Sequence, residues 1–184
     1  MIMKKILVAL ALVMGAICVN AQEHLKFKGV PIDGTLESFT RQLEAKGYTR
    51  EAYGGDVQVM KGDFAGKSNC MIYIASVKTR DLTYLVLVNF KKQTSWNSLR
   101  GDYMQLKNML NQKYGQPTIE REEFTRSYIE GYEMQFLDEC QYNTVYQFDE
   151  GGIMLSISEE GHVVLGYFDR INSEINDNAA MNDL

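Results

Sequence analysis

The sequence has only two histidines, His24 and His162, and this scarcity limits the catalytic chemistry that it can support. A serine or cysteine nucleophile needs a neighbouring base, usually histidine, that a third group orients. His24 lies near the N-terminus, and His162 follows the turn sequence Glu159-Glu160-Gly161. Both are interpreted as surface residues. The Gly-X-Ser-X-Gly sequence typical of many serine hydrolases is also absent.

Cysteine is scarce too, with three in the chain. Cys18 lies in an apolar leader, which leaves Cys70 and Cys140. A zinc site needs four nitrogen or sulfur ligands at paired spacings, and two cysteines with two unpaired histidines do not supply them. We therefore predict no metal site. Cys70 and Cys140 either form a disulfide or remain free thiols, and the sequence leaves both alternatives open because it does not give their separation.

The chain has a single long apolar run, near its N-terminus, and this run has the features of a secretory signal peptide. Residues 1–21 contain two lysines, an apolar stretch over 6–19 and small residues before Gln22. We predict cleavage after Ala21, a periplasmic or secreted location and no transmembrane segment after cleavage. Loss of Lys4 and Lys5 changes the formal net charge from −5 to −7, which gives no electrostatic reason to bind nucleic acid.

The hydrophobic periodicity predicts an α+β fold in a single domain over 22–171. Apolar residues at helical spacing predict helices over 35–46 and from Ser95 to Tyr114. Alternating patterns predict about seven strands in an antiparallel sheet, over 48–53, 57–64, 70–78, 82–91, 142–148, 152–158 and 161–169.

The order of these elements suggests two helix-then-meander halves, 22–93 and 94–171, with the two main helices packed on one face of the sheet. The segment 129–140 fits a short helix or a strand. Residues 172–184 are polar and small, and we predict a flexible tail there.

One stretch near the N-terminus carries a resemblance. The residues are Phe27-Lys28-Gly29-Val30-Pro31-Ile32-Asp33-Gly34-Thr35, followed by Phe39, Leu43 and Lys46-Gly47-Tyr48. They resemble the opening of uncharacterised exported proteins of Bacteroides-type bacteria, and the leader ending Ala21-Gln22 is similar to theirs. The resemblance implies export and an α+β fold but transfers no catalytic residue. The element order is also loosely similar to β-lactamase-inhibitor-protein-like folds and to outer-membrane assembly lipoproteins.

Two weak patterns remain as candidate sites. Tyrosines cluster in the second half, and tyrosine is common at recognition surfaces, so Tyr128, Tyr132, Tyr142 and Tyr146 are candidate partner-binding residues. The alternative is that they fill the core. Acidic residues over 120–139 include candidate carboxylate pairs for glycoside-type hydrolysis, namely Glu120, Glu122, Glu123, Glu130 and Glu133.

The preferred hypothesis is an exported, non-enzymatic binding domain whose partner is a protein or a cell-envelope component. The alternative hypothesis is an envelope hydrolase that uses the acidic residues of 120–139. No cofactor is predicted under either hypothesis.

Overall fold

The computed structural model describes residues 23–77, 80–125 and 130–181, which form an α+β fold as predicted. The strands are β1 (Lys26–Phe27), β2 (Val30–Pro31), β3 (Thr49–Gly54), β4 (Val57–Phe64), β5 (Lys67–Val77), β6 (Leu82–Asn89), β7 (Ile119–Phe124), β8 (Cys140–Phe148), β9 (Gly151–Ile157) and β10 (Val163–Asp169). The helices are α1 (Leu36–Glu44), α2 (Trp96–Tyr114) and α3 (Arg170–Met181). None of these helices is long and apolar enough to cross a membrane.

The main sheet has eight strands in the order β3-β4-β5-β6-β10-β9-β8-β7, and every neighbouring pair is antiparallel. Two four-stranded meanders therefore meet through their last strands, β6 and β10. Strands β1 and β2 form a separate hairpin. Its two-residue turn, Lys28-Gly29, has positive φ at both positions, as the tightest hairpin turns require.

Helices α1 and α2 cover the same face of the sheet. Thr35 caps α1 by accepting a hydrogen bond from the Ser38 N–H, and Leu36, Phe39 and Leu43 of α1 are buried in the core. That core includes the buried side chains of β4, β5 and β6. On α2, the Tyr103 hydroxyl hydrogen-bonds to the hydroxyl of Thr144 in β8. The register places Thr144 on the same face as those side chains.

An eighth strand, β7, lies where the sequence predicted none. It carries Glu120, Arg121, Glu122 and Glu123, so it lacks the apolar alternation that identifies a strand. It forms the outer edge of the sheet, where charged side chains are common because one side of the strand is not paired. The neighbouring segment is neither the helix nor the strand considered from the sequence, but two short 3₁₀ turns, Glu133–Gln135 and Leu137–Glu139.

Residues 172–181, which the sequence analysis placed in a flexible tail, belong to α3, which continues from the end of β10 to Met181. Asn172 is buried, and its amide donates hydrogen bonds to the carbonyls of Ile32 and Thr83 and to Asp33 Oδ1. These long-range contacts, rather than local propensity, hold the first turn of the helix in place. The polar composition of this segment gives no indication of these contacts, so the sequence did not predict the helix.

Candidate functional site

The face of the sheet opposite α1 and α2 carries an apolar row that crosses all eight strands. Neighbouring strands place its members side by side, in the order Ala52, Val59, Tyr73, Leu87, Gly166, Met154, Val145 and Ile119. At Gly166 the Phe168 ring lies over the backbone, 2.7 Å from the position that a Cβ would take. The row is therefore apolar from one sheet edge to the other. We call this side of the sheet the open face.

The rows on either side of the apolar row differ in polarity. One contains Val57, Ala75, Leu85, Phe168, Gly152 and Gln147. The other is mostly polar and contains Thr49, Lys61, Met71, Asn89, Val164, Ser156, Asn143 and Arg121. Charged side chains thus lie toward the two edge strands, while the centre is apolar. The open face is therefore apolar over two of its three rows and polar over the third.

Helix α3 contacts β5, β6, β9 and β10, the four central strands of the sheet. Phe168 and Met154 of the open face, with Ser173 and Glu174 of α3, line a groove of about 570 Å³. The apolar members of the rows are intermediate between buried and exposed, apart from Gly166, which is buried, and Ala52 and Ile119, which are exposed near the edges. Both alternating positions of β5 and β6 are apolar, which is typical of strands covered on both faces. That pattern was the sequence signal for this surface.

The acidic region holds an ion cluster rather than a pair of catalytic carboxyls. Lys107 of α2 is buried, and its Nζ lies 2.8 Å from Glu120 Oε1 and also bonds Glu122 Oε1. Burial acts to lower the pKa of Lys107, but the hydrogen bonds that its ammonium donates to Glu120 and Glu122 outweigh burial and raise that pKa. Both carboxylates are therefore engaged in ion pairs with the same ammonium group.

The other acidic candidates lie apart from this cluster. Glu123 faces the opposite side of β7, Glu130 is exposed, and Glu133 accepts a hydrogen bond from the Gly131 N–H. No described residue of 120–139 lines the groove beside α3, the groove between α1 and β3, or the groove between the β1–β2 hairpin and the end of α2. The geometry therefore gives the hydrolase hypothesis no support.

The three candidate tyrosines that the structure describes are not brought together at one surface. Tyr128 lies outside the described residues. Tyr132 is 53% exposed. Tyr142 and Tyr146 are only 8% and 1% exposed, because their positions in β8 point them at the core face. Tyr142 packs edge-on against Trp96, and the Tyr146 hydroxyl donates a hydrogen bond to Asn111. These two residues are core residues, the alternative that the sequence also allowed.

Cys70 and Cys140 are free thiols in the structure, so they do not form the disulfide that the sequence also allowed. Cys70 lies in β5 and Cys140 in β8, and three strands separate them. Four strand spacings amount to about 19 Å, far beyond the reach of a disulfide. Burial raises the pKa of Cys140 to about 11 and also raises that of Cys70, so both thiols stay protonated at neutral pH.

His24 is half-buried rather than exposed, and both of its ring nitrogens face carboxylates. Nδ1 lies 3.1 Å from Asp169 Oδ2, and Nε2 lies 3.5 Å from Asp33 Oδ2. Asp169 is fully buried and also accepts hydrogen bonds from the backbone N–H groups of Leu25 and Asn172. The cluster joins the N-terminal segment to the start of α3. Its geometry leaves neither imidazole nitrogen free to activate a nucleophile.

The other histidine, His162, has a backbone partner. Its Nδ1 lies 2.7 Å from the carbonyl oxygen of Phe90. Within the described residues, no group of three or more histidine, cysteine, aspartate or glutamate side chains is arranged to hold a metal ion.

Acid should weaken the fold through Asp33. Burial would raise the pKa of Asp33, but hydrogen bonds from Gly34 and Asn172 and the charge of His24 outweigh it, so the pKa lies below its ordinary value. The unfolded chain therefore takes up this proton first as the pH falls below about 4, and stability present at neutral pH is lost. Urea unfolding at pH 7 and pH 3 should show that the unfolding free energy falls less in Asp33→Asn than in the wild type. An equal fall in unfolding free energy for both proteins would contradict this assignment.

No protein-family model, curated protein or solved structure matches this chain.

Proposed function

We propose that this chain is an exported, non-enzymatic interaction domain whose open face binds a second copy of the same chain. The observation that carries the proposal is the apolar row that crosses all eight strands on the side away from α1 and α2. Export rests on the predicted signal peptide, residues 1–21, which lie outside the described residues. The two halves, 22–93 and 94–171, then act as one unit that presents a continuous sheet.

The size of the open face supports a dimer. Seven inter-strand spacings give a width of about 34 Å, and three rows extend about 14 Å along the strands. With the margins of the side chains, each copy offers about 500–700 Å², or about 1,000–1,400 Å² for two copies. Specific interfaces bury at least about 1,000 Å², so the face is large enough for a dimer of modest affinity.

The order of side chains along the apolar row supports self-association. A two-fold axis parallel to the strands, between β6 and β10, places each strand opposite its counterpart from the other half of the sheet. Ile119 then faces the smaller Ala52 near the edges, whereas near the axis the space over Gly166 is already filled by the Phe168 ring. The facing pairs are Ala52 with Ile119, Val59 with Val145, Tyr73 with Met154, and Leu87 with Gly166. Aligned sheets pack with a rotation of about 30°, so this correspondence holds best near the axis.

Other occupants fit the open face less well. The chain is acidic, with a formal net charge of −5, and this does not attract the anionic surface of a membrane. Small molecules bind in concave sites that enclose most of their surface, whereas the groove on the open face lies only along β8, β9 and β10, next to α3. A second protein surface of similar flatness and polarity is the best complement.

Replacing Leu87 with glutamate should dissociate the dimer. Leu87 lies beside the proposed axis, and burying an unpaired carboxylate there should weaken association at least about tenfold. Sedimentation equilibrium over about 1–200 µM should give twice the chain mass for the wild type at the upper end, and a single chain mass for Leu87→Glu. The matched control is Met109→Glu, which adds the same charge on α2 at a residue that is 43% exposed.

The outcomes separate the occupants of the face. Dimerisation that Leu87→Glu weakens and Met109→Glu does not would support the proposal. A wild-type chain that stays monomeric at 200 µM, or equal weakening by both variants, would contradict it. A monomer that instead binds a different purified envelope protein through Leu87 would retain the interaction function but overturn the second copy as the occupant.

A further inference from the structure

A groove of about 780 Å³ lies on the helix-covered side of the sheet, above the central strand β10. The end of α2 and the β1–β2 hairpin form its walls, and the β4–β5 and β8–β9 turns contribute the rest of the lining. It is the place where the two meanders meet beneath the N-terminal segment. Its volume lies within the range of sites that enclose small ligands.

Aromatic rings line this groove. Phe64, Tyr114, Phe148 and Tyr167 all contribute to the lining. The rings of Phe64 and Tyr167 meet edge-on with centroids 6.4 Å apart, and those of Tyr114 and Phe148 lie 5.2 Å apart. These contacts hold the rings in fixed positions. They provide a preformed apolar surface that suits a ligand with a flat apolar body.

The Tyr167 hydroxyl is a polar group in this groove that lacks a partner. The side chain is 5% exposed, and no described residue forms a hydrogen bond with its hydroxyl. The only fully enclosed side-chain nitrogen or oxygen without a partner in the described residues is Thr83 Oγ1, so the Tyr167 hydroxyl keeps an opening to the groove. Burial raises the pKa of Tyr167, and the phenols of Tyr114 and Tyr48 add to this effect. The hydroxyl therefore remains a hydrogen-bond donor at neutral pH.

Two lysines on the groove wall lie over aromatic rings, and neither forms an ion pair with a carboxylate of the described residues. Lys28 Nζ lies 5.9 Å from the centroid of Phe64, and Lys113 Nζ lies 4.7 Å from that of Tyr114. Lys26, in contrast, is paired with Glu23 at 3.2 Å. Glu150 lies at the rim as well, and its charge disfavours a ligand with two negative charges. The balance of charge suits a single negative charge.

We propose that this groove binds a small organic monoanion, namely a flat aromatic carboxylate. Its carboxylate accepts hydrogen bonds from Lys28, Lys113 and the Tyr167 hydroxyl, and its apolar body lies against Phe64, Tyr114 and Phe148. Charge-assisted hydrogen bonds of this kind are the strong ones in protein sites. The groove and the open face lie on opposite sides of the sheet, so the two proposals stand independently.

The test uses 2-naphthoate as the probe, titrated into the full purified chain by isothermal calorimetry. The uncharged analogue 2-naphthalenemethanol should bind at least about tenfold more weakly, because it lacks the charge that the lysines recognise. Tyr167→Phe removes only the hydroxyl and should weaken naphthoate binding about five- to tenfold, and Lys113→Met should do the same. The matched control is Lys92→Met, an exposed lysine outside the groove, which should not change the affinity.

Further measurements distinguish the groove from other sites. Thermal unfolding should show that Tyr167→Phe folds, since the ring contacts remain. Leu87→Glu should leave naphthoate affinity unchanged, because Leu87 lies on the open face. Equal binding of the naphthoate and the alcohol would overturn the proposal. So would undiminished binding in both Tyr167→Phe and Lys113→Met, or no saturable binding by the wild type.

Discussion

Replacing Asp169 with alanine should cost about 3–5 kcal/mol of unfolding free energy, the loss typical of breaking a buried charged hydrogen-bond network. Its carboxylate is fully buried and accepts from the backbone N–H groups of Leu25 and Asn172, at 2.9 Å each. It also lies 3.1 Å from His24 Nδ1. Removing it leaves these groups without an acceptor and detaches the N-terminal segment from α3.

Urea unfolding followed by circular dichroism measures this loss. Asp169→Asn should lose less unfolding free energy than Asp169→Ala, because it keeps one oxygen that can accept a hydrogen bond from a backbone N–H. The surface control is Glu174→Gln, which breaks the exposed Arg170–Glu174 pair and should cost less than about 0.5 kcal/mol. A loss for Asp169→Ala as small as that of the control would show that the cluster does not hold the N-terminal segment to the fold.

Replacing Gly151 with alanine should destabilise the protein by more than about 3 kcal/mol, as severe strain in a packed structure does. A Cβ at Gly151 would lie 2.0 Å from the carbonyl oxygen of Phe168, and the residue has φ = 152°. The clashing atom is backbone, so it cannot move without disturbing the β9–β10 pairing at the centre of the sheet. Gly151 therefore sets how closely the β8–β9 turn approaches β10.

The matched comparison is Gly101→Ala, in the interior of α2, where a Cβ would meet nothing within 4 Å. Alanine there should stabilise the protein by about 0.5–1 kcal/mol through its higher helix propensity. The two substitutions add the same methyl group and should have opposite effects on the urea midpoint. A change of the same sign for both would contradict the assigned roles of the two glycines.

Local patterns predicted the regular elements because each has a strong local signal. Alternation identified seven of the eight strands of the main sheet, and capping with helical spacing identified α1 and α2. The sequence did not predict β7, because Lys107, the partner of its glutamates, lies on α2 and is distant in sequence. The sequence did not predict α3, because Asn172 is held by backbone carbonyls that are distant in sequence.

The candidate surface was harder to predict because it depends on register between strands. The positions of Tyr142 and Tyr146 in β8 show that they share a side of that strand, but the sequence does not say which side the helices cover. The same uncertainty concealed the apolar row, since Tyr73 and Leu87 become neighbours only when β5 and β6 pair. The groove depends on even more distant residues, such as Lys28 and Lys113.

Hydroxyl-radical footprinting at two concentrations tests the role of the open face most directly. Met71 and Met154 lie on that face, whereas Met109 is exposed on α2. Raising the concentration from about 1 to about 200 µM should slow oxidation of Met71 and Met154 by several-fold and leave Met109 unchanged, because only the face becomes covered in the dimer. Unchanged oxidation of Met71 and Met154 across this range would contradict the proposed dimer.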